Sequence, residues 1–351
     1  MARRAAPVEI EETDRVEGFA HPRETFTLLG QDAALARAAR AIRSGRPPQA
    51  WLITGPPGIG KATLAYRIAR YLLAYGAGDA GPADLAVPQD NPDALRVASQ
   101  AHPGLLILKR GLNDKGKLMT ETSVDEIRKL GSFFHLTSGA GGWRVAIVDT
   151  ADDMNDNAAN ALLKLLEEPP ARAMLLLLSN RPGRLLPTIR SRCQRLDLRT
   201  LDDAAMETLL AKFLPDMSAA ERASLARLSG GSPGAALILA TGDGAELAAA
   251  ADRLIDRAAD PDVLALLALG EKLWRVRDGL EQFGGFLNEA LAARIRARAQ
   301  QGAPGLERWT RLLNRLEQDF ARSSGLNLEP RQTILSAARD MAATARGAGS
   351  L

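Results

Sequence analysis

Seven consecutive residues, Gly55-Pro56-Pro57-Gly58-Ile59-Gly60-Lys61, have the spacing of a loop that cradles phosphate. The glycines let backbone N–H groups curl around an anion, and the lysine neutralises it. The usual pattern adds a Ser or Thr directly after the lysine, whose hydroxyl holds Mg²⁺. Ala62 stands there instead. Thr63 follows, but one step along a helix turns a side chain by roughly 100°, so its hydroxyl is not expected to take over that role. Asp149 closes an apolar run and has two readings: an acid that helps hold Mg²⁺, or a helix-capping or loop carboxylate. Hydrolysis of a bound triphosphate calls for a water-activating acid at the next position. That position is Thr150, whose hydroxyl is no general base near neutral pH without help. Asp152 and Asp153 lie close by, past the expected end of the strand.

Six arginines, Arg181, Arg184, Arg190, Arg192, Arg195 and Arg199, crowd a later stretch. In an arginine-rich chain most of them read as a solvated surface. Arg192 differs in its company, Ser191-Arg192-Cys193. An exposed arginine at a subunit boundary can reach a neighbour's γ-phosphate and stabilise the transition state. The string Asn160-Ala-Leu-Leu-Lys-Leu-Leu-Glu-Glu-Pro-Pro170 reads as an amphipathic helix with a proline stop, in which Lys164 and Glu168 can pair across one turn. Chemistry alone gives it no function.

The elements that must position these residues follow from periodicity. Ala50 to Thr54 is an apolar run feeding the glycine loop, and Ala62 to Tyr75 is helical with Leu64, Ile68, Leu72 and Tyr75 on one face. Strand, loop and helix are the context a phosphate loop requires. Further strands are expected at Gly104–Leu108, Trp143–Asp149 and Met174–Leu178. Helices are expected at Leu29–Ile42, Val124–Phe134 and Asn155–Glu168, with a turn at 137–142. Alternating strands and helices imply a parallel sheet covered on both faces. Beyond Leu201 the strand signals vanish. Three short helices (Asp202–Phe213, Ser218–Leu228, Pro233–Leu239) precede a helical remainder with breaks expected near Pro261, Gly284-Gly285, Gly302–Gly305 and Ser323–Gly325.

Composition is that of a soluble globular chain: 351 residues, 46% hydrophobic, 25% charged, with a net charge of +3 that makes no general polyanion binder. Cys193 is the single cysteine, so no intrachain disulfide forms, and three scattered histidines suggest no metal site. The first residues lack the apolar core of a signal peptide, and apolar runs such as Ala173–Leu178 are too short to span a membrane. A cytoplasmic location and no membrane partner are the expectation.

Taken together, the strings GPPGIGK, RVAIVDTADDMN, AANALLKLLEEPP and LLPTIRSRC resemble the bacterial clamp-loader AAA+ family. Within it, His102-Pro-Gly104, Gly141-Gly-Trp-Arg144 and Leu326-Asn-Leu-Glu-Pro-Arg331 side with the branch that does not hydrolyse ATP. The ATP-burning gamma/tau branch carries Asp-Glu where this chain has Asp149-Thr150. The likeness is dense over 28–200 and thinner to about 340. It implies a flexible arm over 1–27, an α/β phosphate-loop AAA+ core over 28–200, a small helical lid over 201–242 and an all-α collar for oligomerisation over 243–351. It also implies assembly with gamma/tau and delta subunits, which load the sliding clamp on primed DNA. By residue-wise match Arg192 is the arginine donated to a neighbour's ATP site. Asn180 falls at the first phosphate-sensing position, and the cradle Gly55–Thr63 with Asp149 would hold any ATP or ADP. Two departures matter. The four-cysteine zinc module of many relatives is missing, so no zinc is expected. The lid arginine that senses γ-phosphate is replaced by the stretch Gly231-Ser-Pro-Gly-Ala235. An active gamma/tau-type ATPase is the alternative. A phosphate-loop kinase is a third reading, against which the Ser-Arg-Cys string and the helical last third both weigh. Whether the cradle holds nucleotide or is an inherited element, and whether the arginines over 181–199 touch DNA, stay open in the sequence.

Overall fold

The computed structural model describes residues 16, 18–109, 119, 121–135, 142–241, 243–276, 279–326 and 328–348. Residues 1–15 of the expected arm, positions 137–141 of the expected turn and Gly242 at the expected lid boundary lie outside them. Two compact units make up the chain: Met1–Leu108, Ile127–Asp152 and Ala159–Leu237 in the first, and Lys109–Glu126, Asp153–Ala158 and Ile238–Leu351 in the second.

The first unit is built on five parallel strands, β1 (Ala50–Thr54), β2 (Leu105–Leu108), β3 (Arg144–Val148), β4 (Ala173–Ser179) and β5 (Gln194–Asp197), in the order β2-β3-β4-β1-β5. β1 and β4 are buried along their whole length, which is why both read as unbroken apolar runs rather than alternating ones. Around the sheet run α1 (Asp32–Arg43), α2 (Lys61–Tyr75), α3 (Pro92–Ala98), α4 (Val124–His135), α5 (Asp156–Glu167) and α6 (Pro187–Arg192), followed by α7 (Asp203–Phe213), α8 (Ala219–Leu228) and α9 (Pro233–Ala240). The core joins Trp51 and Ile53 of β1 to Leu64, Ile68 and Leu72 of α2 and to Met174, Leu176 and Leu178 of β4. The α/β phosphate-loop core with helices after it is the expected fold class.

Two features of the first unit differ from expectation. Residues 18–27, assigned to a flexible arm, are fastened to α2. Arg70 donates to the carbonyls of Arg23 and Thr25 at 2.8 and 2.9 Å, Arg67 donates to that of Phe26 at 3.1 Å, and the Arg70 guanidinium lies 4.2 Å from the Phe26 ring centroid. A fifth strand, β5, lies within the arginine-rich stretch. Residues 201–237, part of the stretch expected as a lid over 201–242, group with the core in the first unit.

The second unit contains α10 (Gly244–Asp256), α11 (Val263–Arg275), α12 (Gly279–Gln300), α13 (Leu306–Leu326) and α14 (Pro330–Ala348). Its core gathers Leu254, Phe283, Leu287, Trp309, Leu316, Phe320 and Met341. The break expected at Gly284-Gly285 is absent, and α12 runs through it. A Cβ at Gly284 would stand 2.8 Å from the Phe320 ring, so this glycine serves close packing of α12 on α13 rather than a turn.

Candidate functional site

The sheet order assembles one edge of the first unit. In register, Thr54 of β1 pairs with Ser179 of β4, and Val148 of β3 with Leu177 of β4. The carboxyl ends of three adjacent strands therefore deliver Gly55, Asn180 and Asp149 to one rim, where open α/β sheets bind ligands. Gly55, Gly58 and Gly60 have φ of 146°, 73° and 99°, conformations that a side chain resists, and Lys61 opens α2 directly behind them. Its Nζ donates to the carbonyls of Gly55 at 2.8 Å and Pro56 at 2.6 Å. Burial pushes this amine down to about 8, against the opposing pull of Asp149 and Asp152. The cradle thus holds a buried cation behind a curl of backbone, a fit for a nucleotide's phosphates.

The parts for hydrolysis do not fit. Ala62 packs against the hydrophobic core and brings no oxygen. Thr150 adopts φ of 53°, and its hydroxyl donates to the carbonyl of Asp149 at 2.7 Å, so it is turned onto backbone. Thr54, the hydroxyl next to the loop, is bonded to Asp197. Thr63 and Asn180 are half-buried on the same unit.

Two contributors escaped the sequence reading. Asp152 accepts the Ser179 hydroxyl at 2.6 Å and the backbone N–H groups of Asn180 at 2.6 Å and Arg181 at 3.1 Å. It ties down the turn after β4 and with it Asn180. Its position three residues after Asp149 was visible, but its partners are 27 to 29 residues away. The second is a seal over the loop. Ser232 Oγ donates to the Pro57 carbonyl at 2.9 Å, and Gly234 N donates to the Gly58 carbonyl at 2.9 Å. A Cβ on Gly58 would meet Ser232 Oγ at 2.5 Å, and one on Gly234 would meet the Gly58 Cα at 2.7 Å. Where relatives are expected to bring an arginine, this chain brings bare backbone into contact with the loop.

Arg192 lies elsewhere. It ends α6 just before β5, whose first residue, Gln194, pairs with Trp51 near the start of β1. With Pro48, Ala50, Leu166, Pro169 and Ala173 it lines a pocket of about 120 Å³ at the amino ends of β1 and β4. From Trp51 to Gly55 the strand advances about 13 Å, at roughly 3.3 Å per residue, so Arg192 and the cradle occupy opposite edges of the sheet. The guanidinium donates to Glu167 Oε1 at 2.9 Å and to the Thr188 carbonyl at 3.2 Å. The neighbouring Cys193 thiol is buried and pushed up to about 12 by that burial, which leaves it unreactive near neutral pH. Among the described residues no cluster of three or more His, Cys, Asp or Glu side chains is placed to hold a metal, and no helix is long and apolar enough to cross a membrane.

Residues 30–202 match the family model described as DNA polymerase III, delta subunit. The DNA polymerase III subunit delta' of Pseudomonas aeruginosa is 40% identical over 184 residues, covering 52% of this chain and 53% of that one. Its counterpart in Escherichia coli is 35% identical over 209 residues, 58% of each. A DNA polymerase III subunit gamma/tau of Mycobacterium bovis is 28% identical over 253 residues, 71% of this chain and 40% of that one. The chain thus spans somewhat more than half the length of the delta-prime relatives it matches. Over this phosphate-loop core, the chain is therefore similar to the DNA polymerase III delta-subunit family and, at 35–40% identity, to its delta-prime members.

Proposed function

We propose that the chain acts as the delta-prime subunit of a DNA polymerase III clamp loader. In this reading it assembles with gamma/tau and delta subunits and serves the loading of the sliding clamp on primed DNA. It lends Arg192 to a neighbour's ATP site without hydrolysing ATP itself. The observation that carries the reading is the division of the site between the two edges of the sheet. The chain's own cradle keeps Lys61 but lacks a magnesium hydroxyl at Ala62, an activating acid at Thr150 and an arginine at Gly234 and Ala235. Loss of a single positioned catalytic group commonly lowers a rate by ~10²–10⁴-fold, and three losses together support a silent site. Arg192, on the opposite edge and partly exposed, is out of reach of that cradle and accessible to another subunit's phosphates. Any ATP or ADP in the cradle would then serve as a structural ligand, stabilising the fold by mass action.

The test is reconstitution with gamma/tau and delta. Arg192→Ala should lower ATP turnover at the adjacent site by about 10²-fold or more, while the wild-type chain alone stays at background. Unchanged complex turnover would sink the assignment of Arg192. Mg²⁺-dependent turnover by the chain alone, lost in Lys61→Ala, would establish a gamma/tau-type ATPase instead.

A further inference from the structure

We infer that Glu167 is a positioning residue for Arg192, an inference that rests on the reading of Arg192 as the group lent to a neighbouring ATP site. Glu167 is the last residue of α5. A helix end exposes carbonyl oxygens and favours cations, so a carboxylate is electrostatically misplaced there. Pro169 then prevents the helix from continuing past it. Local preference that conflicts with position points to a compensating contact, and one contact provides it: Arg192 Nη2 donates to Glu167 Oε1 at 2.9 Å. The other arm of the guanidinium, Nη1, donates to the Thr188 carbonyl within α6 at 3.2 Å. Two anchors from two elements fix the far end of a side chain that otherwise samples many rotamers. This orientation is in place before a neighbour arrives, and prior orientation of a charged group raises a rate without raising affinity.

The hold is also easily surrendered. The Arg192 and Glu167 side chains are 38% and 52% exposed, and an ion pair so wet is weak. A phosphate offers several charged acceptor oxygens to a planar guanidinium and displaces a single carboxylate oxygen at little cost. Glu167 thereby aims Arg192 in the resting subunit and yields it when a γ-phosphate comes within reach. The plain alternative is a surface ion pair with no consequence for turnover.

The reconstituted complex separates the two. Glu167→Ala is expected to lower kcat for ATP about three- to tenfold while KM stays within about twofold, because orientation rather than binding is lost. Glu167→Gln, which keeps the acceptor oxygen, should recover at least half of the lost rate. In an Arg192→Ala background Glu167→Ala should change nothing further, the non-additivity of residues that act through one another. Equal melting temperatures, within about 2 °C, and equal assembly would show that each variant is folded. If Arg192→Ala lowers turnover and Glu167→Ala does not, Glu167 has no positioning role and the assignment of Arg192 stands. A loss from Glu167→Ala that persists in the Arg192→Ala background marks a general structural effect and overturns the inference. An Arg192→Ala complex with full activity overturns both.

Discussion

Thr150 has a left-handed backbone, φ 53°, which is an outlier for a β-branched residue and disfavoured by about 1–2 kcal/mol. Its hydroxyl bond to the Asp149 carbonyl recovers part of that and removes the side chain from chemistry. Lys61, by contrast, keeps its place and its charge. Burial lowers the amine to about 8, so the folded chain gives up this proton before the unfolded chain, whose amine titrates near 10.5. The burden of a buried ammonium is therefore fully present below pH 8 and is relieved as pH rises from about 8 to 10.5. Over that window the group adds stability. Its effect on nucleotide has the opposite sign. Phosphate is attracted only to the charged amine, so the affinity of the isolated chain for ATP or ADP should hold up to about pH 8 and then fall, by up to about tenfold per pH unit. Titration with labelled ADP from pH 7 to 9.5 measures this. A flat profile, matching that of Lys61→Ala, would remove Lys61 from the contact.

At the scale of elements, α2 works on two sides. Leu64, Ile68 and Leu72 face the core, while Arg67 and Arg70 hold residues 23–26. Arg70 is almost wholly buried, and its pKa is lowered to about 10 by that burial and by Arg67. Arg70→Ala would leave two carbonyls without their charged donor and should destabilise the first unit by about 2–4 kcal/mol. Chemical denaturation measures it, and a change below about 0.5 kcal/mol would show that the strap is loose. The sequence made one side of this helix legible and not the other. The 3.6-residue apolar period announced the core face, whereas arginines look alike whether they meet water or distant carbonyls. The same limit explains β5, an edge strand of Gln194, Arg195, Leu196 and Asp197 in which only Leu196 is buried, too little apolar content to signal a strand. The glycine loop was readable because residue type at fixed spacing carries it, and the same spacing singled out Asp149 and Arg192 as candidates. The contacts of Asp152, Ser232 and Glu167 were not readable, because their partners lie far along the chain.

For the molecule as a whole, α11 carries four of the exposed large apolar side chains among the described residues. Leu266, Gly270 and Leu273 are its buried side. Val263, Leu264, Leu267 and Trp274 are 53%, 79%, 37% and 62% exposed, and at 3.6 residues per turn they fall within about 100° of arc. Scattered exposed apolar residues need no explanation, but a stripe of four including a tryptophan is a candidate protein–protein contact. In the proposed assembly, a helical C-terminal unit that binds gamma/tau and delta subunits would cover it. Substitution at exposed positions away from packing shifts monomer stability by no more than about 0.5 kcal/mol. Leu264→Ser with Trp274→Ser should therefore leave the isolated chain as stable as the wild type. It should also weaken assembly about tenfold or more, the loss expected when central anchors of an interface are truncated. Sedimentation of the variant with gamma/tau and delta subunits reads the outcome directly. Wild-type assembly with an unchanged dissociation constant would show that this stripe is not the surface on which the complex is built.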